Sequence, residues 1–306
     1  MTMKNDFASE ERRCELLFLS LGPCWHLYTP ENHPVIFTDE ADYKAAMTLT
    51  AICHLAFPQF RILTFELMSN HIHFTIVGPE KDLGPFFGMI RKYLEYYLQA
   101  KGRNTSLEDW EYKKRPIRTL DDARNVIAYD NRNGFIVNPA YSPYSYPWGA
   151  NRCFFNTDHA TRYAESKTVL RSDAIRRIFH TRTLDGFSGL VMLDGFVCPF
   201  AFCDITTAEG LFRNERHYFY SISKNVERMK EIAKEIGESI YYTDSDLFAI
   251  VRSYCKDRYG IDRPTLIPAD KKIEVAKMMR FEYNASAKQI TRMLKIDPDL
   301  LNSFLP

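Results

Sequence analysis

The chain has 306 residues, 45% of them hydrophobic and 26% charged, with 40 basic against 39 acidic side chains. This composition excludes a disordered, collagen-like or low-complexity chain, and no apolar run is long enough to span a membrane. A net charge of +1 also argues against a protein that coats nucleic-acid phosphates over its whole surface.

The charge is unevenly spread. Residues 1–87 carry a net −5, whereas 88–132 and 245–306 each carry +3. The neutral total is therefore a sum over segments of opposite sign. Arg12-Arg13 precede an apolar Leu17–Leu19 stretch, but Asp6, Glu10, Glu11 and Glu15 surround them and Gly22-Pro23 interrupts the run. That is not a signal-peptide pattern. The seven cysteines are scattered, and no pair is spaced C-x-x-C. They read as reduced, buried thiols of a cytoplasmic chain, not as a disulfide frame or a structural zinc site.

Trp25–Thr29 is a short strand candidate. Asp39 caps a helix expected from Glu40 to about Phe57, with Ala45, Leu49, Ile52 and Ala56 on one face and Pro58 as its stop. Arg61–Met68 and His71–Val77 read as strands joined at Ser69-Asn70, a hairpin. A helix follows from Leu83 to Ala100, closed by Gly102. Residues 103–118 are polar and basic and read as a loop. The next helix starts at Asp121-Asp122 and runs to about Asn133, with Gly134 as its stop. The pattern suggests a small α+β domain with its helices on one face of the sheet.

Residues 156–243 mix helical segments with an apolar stretch, Gly189–Phe200, and carry no motif of assignable role. Residues 244–306 read as helical. Lys272–Tyr283, Ala287–Leu294 and a short helix from Pro298 suggest a helix-turn-helix. Lys271, Lys272, Lys277, Arg280, Lys288, Arg292 and Lys295 make this end basic, but its last helix carries Asp297 and Asp299 and only Asn302 suits base reading, so it would contact backbone or another protein.

Two residue pairs can carry chemistry. His71 and His73 alternate along a strand and so share a face, which is half of a divalent-metal site or simply a packed pair. Tyr129 and Asn133 lie one helical turn apart. They are a nucleophile beside a carbonyl ligand, or an amphipathic helix end.

Three motifs carry a resemblance. Phe65-Glu-Leu-Met-Ser-Asn-His-Ile-His-Phe, Val126-Ile-Ala-Tyr-Asp-Asn-Arg-Asn-Gly and Pro143-Tyr-Ser-Tyr-Pro-Trp-Gly occur in that order. They resemble the M-P-N-H-x-H, Y-I-x-x-N-P and Y-x-W-S-S motifs of single-tyrosine HUH transposases. The REP-associated, insertion-sequence-200-like branch is the most similar. Ser69 and Gly134 stand where that family has proline, and the competing Asn138-Pro139 has no tyrosine four residues earlier.

The resemblance covers residues 25–150 and implies a ferredoxin-like antiparallel sheet within a nuclease domain over 1–155. It implies that His71, His73 and Asn133 hold Mg²⁺ or Mn²⁺. Tyr129 would then cleave and rejoin hairpin-bearing single-stranded DNA through a 5′-phosphotyrosine. Arg91, Lys92, Lys113, Lys114, Arg115 and Arg118, with Lys101 and Arg103, would track its phosphates. The protein would act as a monomer or homodimer. Two other readings stand beside this one: a non-catalytic DNA- or RNA-binding regulator on the same scaffold, and a helix-turn-helix interaction protein with a structural N-terminal domain.

Overall fold

A computed structural model describes residues 2–103, 105–137, 141, 145–224 and 226–304. Asn138-Pro139 and Pro143-Tyr144 lie outside the described residues. The chain divides into two compact units, Met1–Asn225 and Val226–Pro306. Among the described residues no helix is long and apolar enough to cross a membrane.

The first unit is built on a four-stranded antiparallel sheet. After helix α1 (Thr2–Ser20), its core elements are β1 (Cys24–Tyr28), α2 (Glu40–Ala56), β2 (Arg61–Leu67), β3 (Ile72–Val77), α3 (Leu83–Ala100), β4 (Lys113–Ile117) and α4 (Leu120–Val137). The strand order is β2-β3-β1-β4. One sheet face is apolar: Leu27 pairs with Phe74, and Phe74 with Phe65. Helices α2 and α3 cover it, with the Phe86 ring 5.7 Å edge-on from Phe74. Helix α4 covers the opposite face, through side chains described below. Helices on both faces correct the one-sided expectation.

Two local expectations also change. Residues 103–118 are not all loop, because Lys113–Ile117 pairs with β1 as β4. Its charges and Pro116 suit an edge strand, whose outer backbone groups must not recruit another chain. Helix α4 does not stop at Gly134 but continues to Val137. At the other edge, β2 is covered by its own chain. Leu67 N donates to Trp148 O at 2.8 Å, Ala150 N to Phe65 O at 3.1 Å and Asp204 N to Ile62 O at 2.8 Å.

The rest of this unit comprises α5 (Thr157–Glu165), α6 (Ser172–Phe179), the two-residue hairpin β5 (Met192–Leu193) and β6 (Phe196–Val197), α7 (Ile205–Gly210) and α8 (Glu215–Lys224). Arg124 ties α4 to α1, with Nη1 2.6 Å from Glu11.

The second unit holds α9 (Val226–Ile236), α10 (Asp244–Tyr259), α11 (Ala269–Tyr283), α12 (Ala287–Leu294) and α13 (Pro298–Phe304). Leu247, Val251, Val275, Met279, Ile290 and Leu294 form its core. A capping box of Ser286 and Gln289 starts α12, and Lys295 ends it in the left-handed conformation. The Asn302 side chain lies outside the described residues.

Asp42, fully buried on α2, fixes the α2–α3 pairing. It accepts from Tyr97 at 2.9 Å, Lys101 at 2.7 Å, Arg103 at 2.8 Å and Thr38 N at 2.8 Å. Burial alone would push its carboxyl up, but these donors outweigh burial and hold it at about 2. A depressed carboxyl stabilises the fold above its unfolded value and loses that contribution as pH falls toward the folded one. Urea midpoints should drop between about pH 4 and pH 2, and Asp42→Asn should flatten that dependence. The same variant should lose about 3–5 kcal/mol at neutral pH, because Lys101 and Arg103 lose their shared anion.

Candidate functional site

Residues directly opposite in an antiparallel pair share a face. Glu66 is opposite His73, and His73 opposite Tyr28, which is opposite Lys113. The next row runs Thr64, Thr75, His26, Arg115. The sheet face under α4 is therefore polar over two complete rows, and Thr64, Glu66, His26, His73 and Thr75 are all buried.

Buried polar groups need partners, and α4 supplies them. Asp130 Oδ2 accepts from Thr75 at 2.8 Å, and its Oδ1 lies 3.0 Å from His26 Nε2. Asn131 Oδ1 accepts from Thr64. Gly134 N donates to Glu66 Oε1 at 2.9 Å. Asn131 Nδ2 also donates to Tyr218, whose hydroxyl donates to Asn151.

The histidines lie side by side. His26 Nε2 is 3.3 Å from His73 Nδ1, and the His71 and His73 rings are 5.0 Å apart. The Tyr129 ring stands edge-on to both central imidazoles, 6.4 Å from His26 and 5.9 Å from His73. Tyr28 stacks on His26 at 4.9 Å from the other direction. Burial holds His71 down at about 4, and burial followed by the neighbouring His71 and His26 holds His73 well below the usual histidine range. These imidazoles are neutral at physiological pH, as ligands and proton acceptors must be. Glu66 is pushed well above the carboxylate range, by burial first and then by Asp130.

His26, His73 and Asp130 can each offer one donor atom, and those atoms all lie within 4.8 Å of one another. Two imidazoles and a carboxylate suit a divalent transition metal. Of the ligands expected from sequence, His71 and His73 are brought together. Asn133 is half-buried one turn beyond Tyr129, and among the described residues no hydrogen bond joins it to either histidine. Asp130, beside Tyr129 in the chain, is the α4 side chain that reaches the histidines. Sequence reading missed it, and missed His26, because each is a lone residue outside a recognisable spacing.

The expected phosphate track is dispersed. Arg91 and Lys92 lie on α3, over the apolar face, and Arg91 donates to Glu108 O. Lys101 and Arg103 are bound to Asp42. Lys114 pairs with Glu80 and Arg115 with Asp122, each at 2.6 Å. Lys113 and Arg118 are exposed, Lys113 in the same row as His73. Beyond Leu67, Tyr43, Met68, Tyr141, Tyr146 and Trp148 line an aromatic cleft of about 460 Å³.

Comparison with family models, curated proteins and solved structures finds no match to this chain.

Gly134 is where this site is tightest. A Cβ there would lie 2.0 Å from Glu66 Oε1 and 2.2 Å from the Tyr146 ring. Helix propensity alone favours Gly134→Ala by up to about 1 kcal/mol. The contacts predict the opposite sign, a loss of about 1–3 kcal/mol in urea unfolding. For the metal donors, Mn²⁺ titration followed by electron paramagnetic resonance should show affinity falling more than about tenfold in His73→Ala and Asp130→Asn, with Asn133→Ala near wild type.

Proposed function

We propose that this chain is a metal-dependent single-strand DNA endonuclease and strand transferase with Tyr129 as nucleophile. The observation that carries the reading is the edge-on position of the Tyr129 ring against His26 and His73, on the buried polar face of the sheet. The β-α-β-β-α-β order, with strands arranged β2-β3-β1-β4, supports the ferredoxin-like HUH reading of the fold.

His26, His73 and Asp130 are the set whose donor spacing fits a divalent cation, Mg²⁺ or Mn²⁺ in this reading. His71 sits beside that set, its ring 5.0 Å from that of His73. Bound there, the cation supplies Lewis-acid polarisation of the scissile phosphate.

The remaining chemistry belongs to the chain. A phenol with an ordinary pKa of about 10 must lose its proton to attack. A cation held by His26, His73 and Asp130 would occupy the imidazole lone pairs, so the phenol proton would pass to solvent water as the oxygen attacks. The phenolate oxygen attacks phosphorus, the bond to the 3′ oxygen breaks, and that oxygen leaves as a 3′-hydroxyl once protonated. The enzyme keeps the 5′-phosphate as a tyrosyl ester. Attack by another 3′-hydroxyl reverses the step and returns the phenol, so the phosphodiester is conserved without an external energy source.

A second reading is favoured by burial. Tyr129 is 5% exposed, and His26, His73 and Asp130 are fully enclosed. A scaffold that keeps these residues sealed would bind DNA or RNA as a regulator without cutting it. Incubation with hairpin-bearing single-stranded DNA and Mn²⁺, followed by denaturing electrophoresis, separates the two. The enzyme reading expects a covalent protein–DNA adduct in the wild type that Tyr129→Phe abolishes. An undiminished adduct in Tyr129→Phe removes Tyr129 as nucleophile, and retarded DNA with no adduct supports the regulator.

A further inference from the structure

Away from the polar sheet face, a second set of donors converges in the first unit. Cys153 ends a 3₁₀ turn (Asn151–Cys153), His159 lies in the first turn of α5, and Cys198 directly follows β6. All three are buried, and their sulfur and ring-nitrogen atoms lie within 4.8 Å of one another. Cys198 Sγ is 3.9 Å from His159 Nε2. Ligands of a tetrahedral zinc stand about 3.5–3.8 Å apart, as follows from bonds near 2.3 Å to sulfur and 2.1 Å to nitrogen. The three side chains are thus within about an ångström of a coordinating arrangement.

We propose that Cys153, His159 and Cys198 bind zinc, in a structural site independent of the His26, His73 and Asp130 cluster. Two thiolates and an imidazole select zinc over Mg²⁺ or Mn²⁺, which prefer oxygen donors. Each thiol that binds gives up its proton as the sulfur–zinc bond forms, and no electron is transferred.

The surroundings hold the donors in place. Asn156 caps α5 by accepting from His159 N at 3.0 Å, and its amide donates to Arg152 O at 2.9 Å. That link couples the Cys153 turn to the His159 helix. Asp194, at the tip of the β5–β6 hairpin, pairs with Arg152 at 2.8 Å and Arg162 at 2.6 Å. Phe200 lies against both His159, at 6.0 Å, and Tyr163, at 5.4 Å. Cys203, one short turn beyond Cys198, is a further buried sulfur in this segment.

A metal here also answers a physical need. The segment carrying these residues has helices of nine and eight residues and strands of two. A metal held by Cys153, His159 and Cys198 would fasten three such short elements to one another.

The test is metal analysis of the purified full chain, with cobalt exchanged for zinc in parallel. The expected result is zinc in a one-to-one ratio with the chain. Cobalt should give a sulfur-to-metal charge-transfer band that is lost in Cys198→Ser and retained in His73→Ala. If Cys198→Ser fails to fold, a mercurial thiol reagent applied to folded wild type should release zinc in step with thiol modification. Protein free of zinc, with a cobalt spectrum lacking charge transfer, overturns the proposal. So does an intact mass two hydrogens short with Cys153 and Cys198 linked as a disulfide.

Discussion

A sheet face made of ionisable and hydroxylic side chains has been buried, and the arrangement of the first unit follows from meeting that demand. A buried polar group without a partner costs more than a typical hydrogen bond returns. Thr64, Glu66, His26, His73 and Thr75 cannot be covered by an apolar helix. Helix α4 answers with Asp130, Asn131 and the bare backbone of Gly134, each opposite a different strand residue. Asn131 then carries the network on to Tyr218 and Asn151, so the middle of the chain is drawn in by the same requirement.

The environment sorts the acids and bases of this face into different roles. Asp130 lies against an imidazole and a threonine hydroxyl, whereas Glu66 is enclosed and driven toward its neutral form. A buried carboxyl driven toward its neutral form is a recurrent mark of sites that move protons. Burial likewise keeps His71 and His73 uncharged, which leaves their lone pairs available to a cation or a proton.

Much of the scaffold was legible in the sequence. Asp39 and Pro58 bracket α2, and Leu83–Ala100 is recovered to the residue, because caps, breakers and helical periodicity are local signals. Strand alternation similarly put His71 and His73 together. What escaped was decided by distant partners. Lys113–Ile117 has the charge and proline of a loop and becomes a strand only because β1 offers an edge. Gly134 has the look of a helix stop, yet it lies inside α4 because Glu66 and Tyr146 leave no room for a side chain. Asp130 and His26 are ordinary residues until the sheet brings them within reach of His73. Cys153, His159 and Cys198 come from three segments whose spacing matches no metal motif.

The closure of β2 bears on how this protein can be dissected. Its outer edge is paired by residues 148–150 and by Asp204, the latter from a part of the chain that sequence alone would assign to a separate region. A recombinant fragment ending near residue 155 would strip half of that cover. It would leave the Ile62 carbonyl without its Asp204 donor and Asn131 without Tyr218. An edge bared in this way invites strand addition by a second molecule. The smallest piece worth expressing is therefore the whole of Met1–Asn225, and insolubility of anything shorter would say nothing about the chemistry of the site.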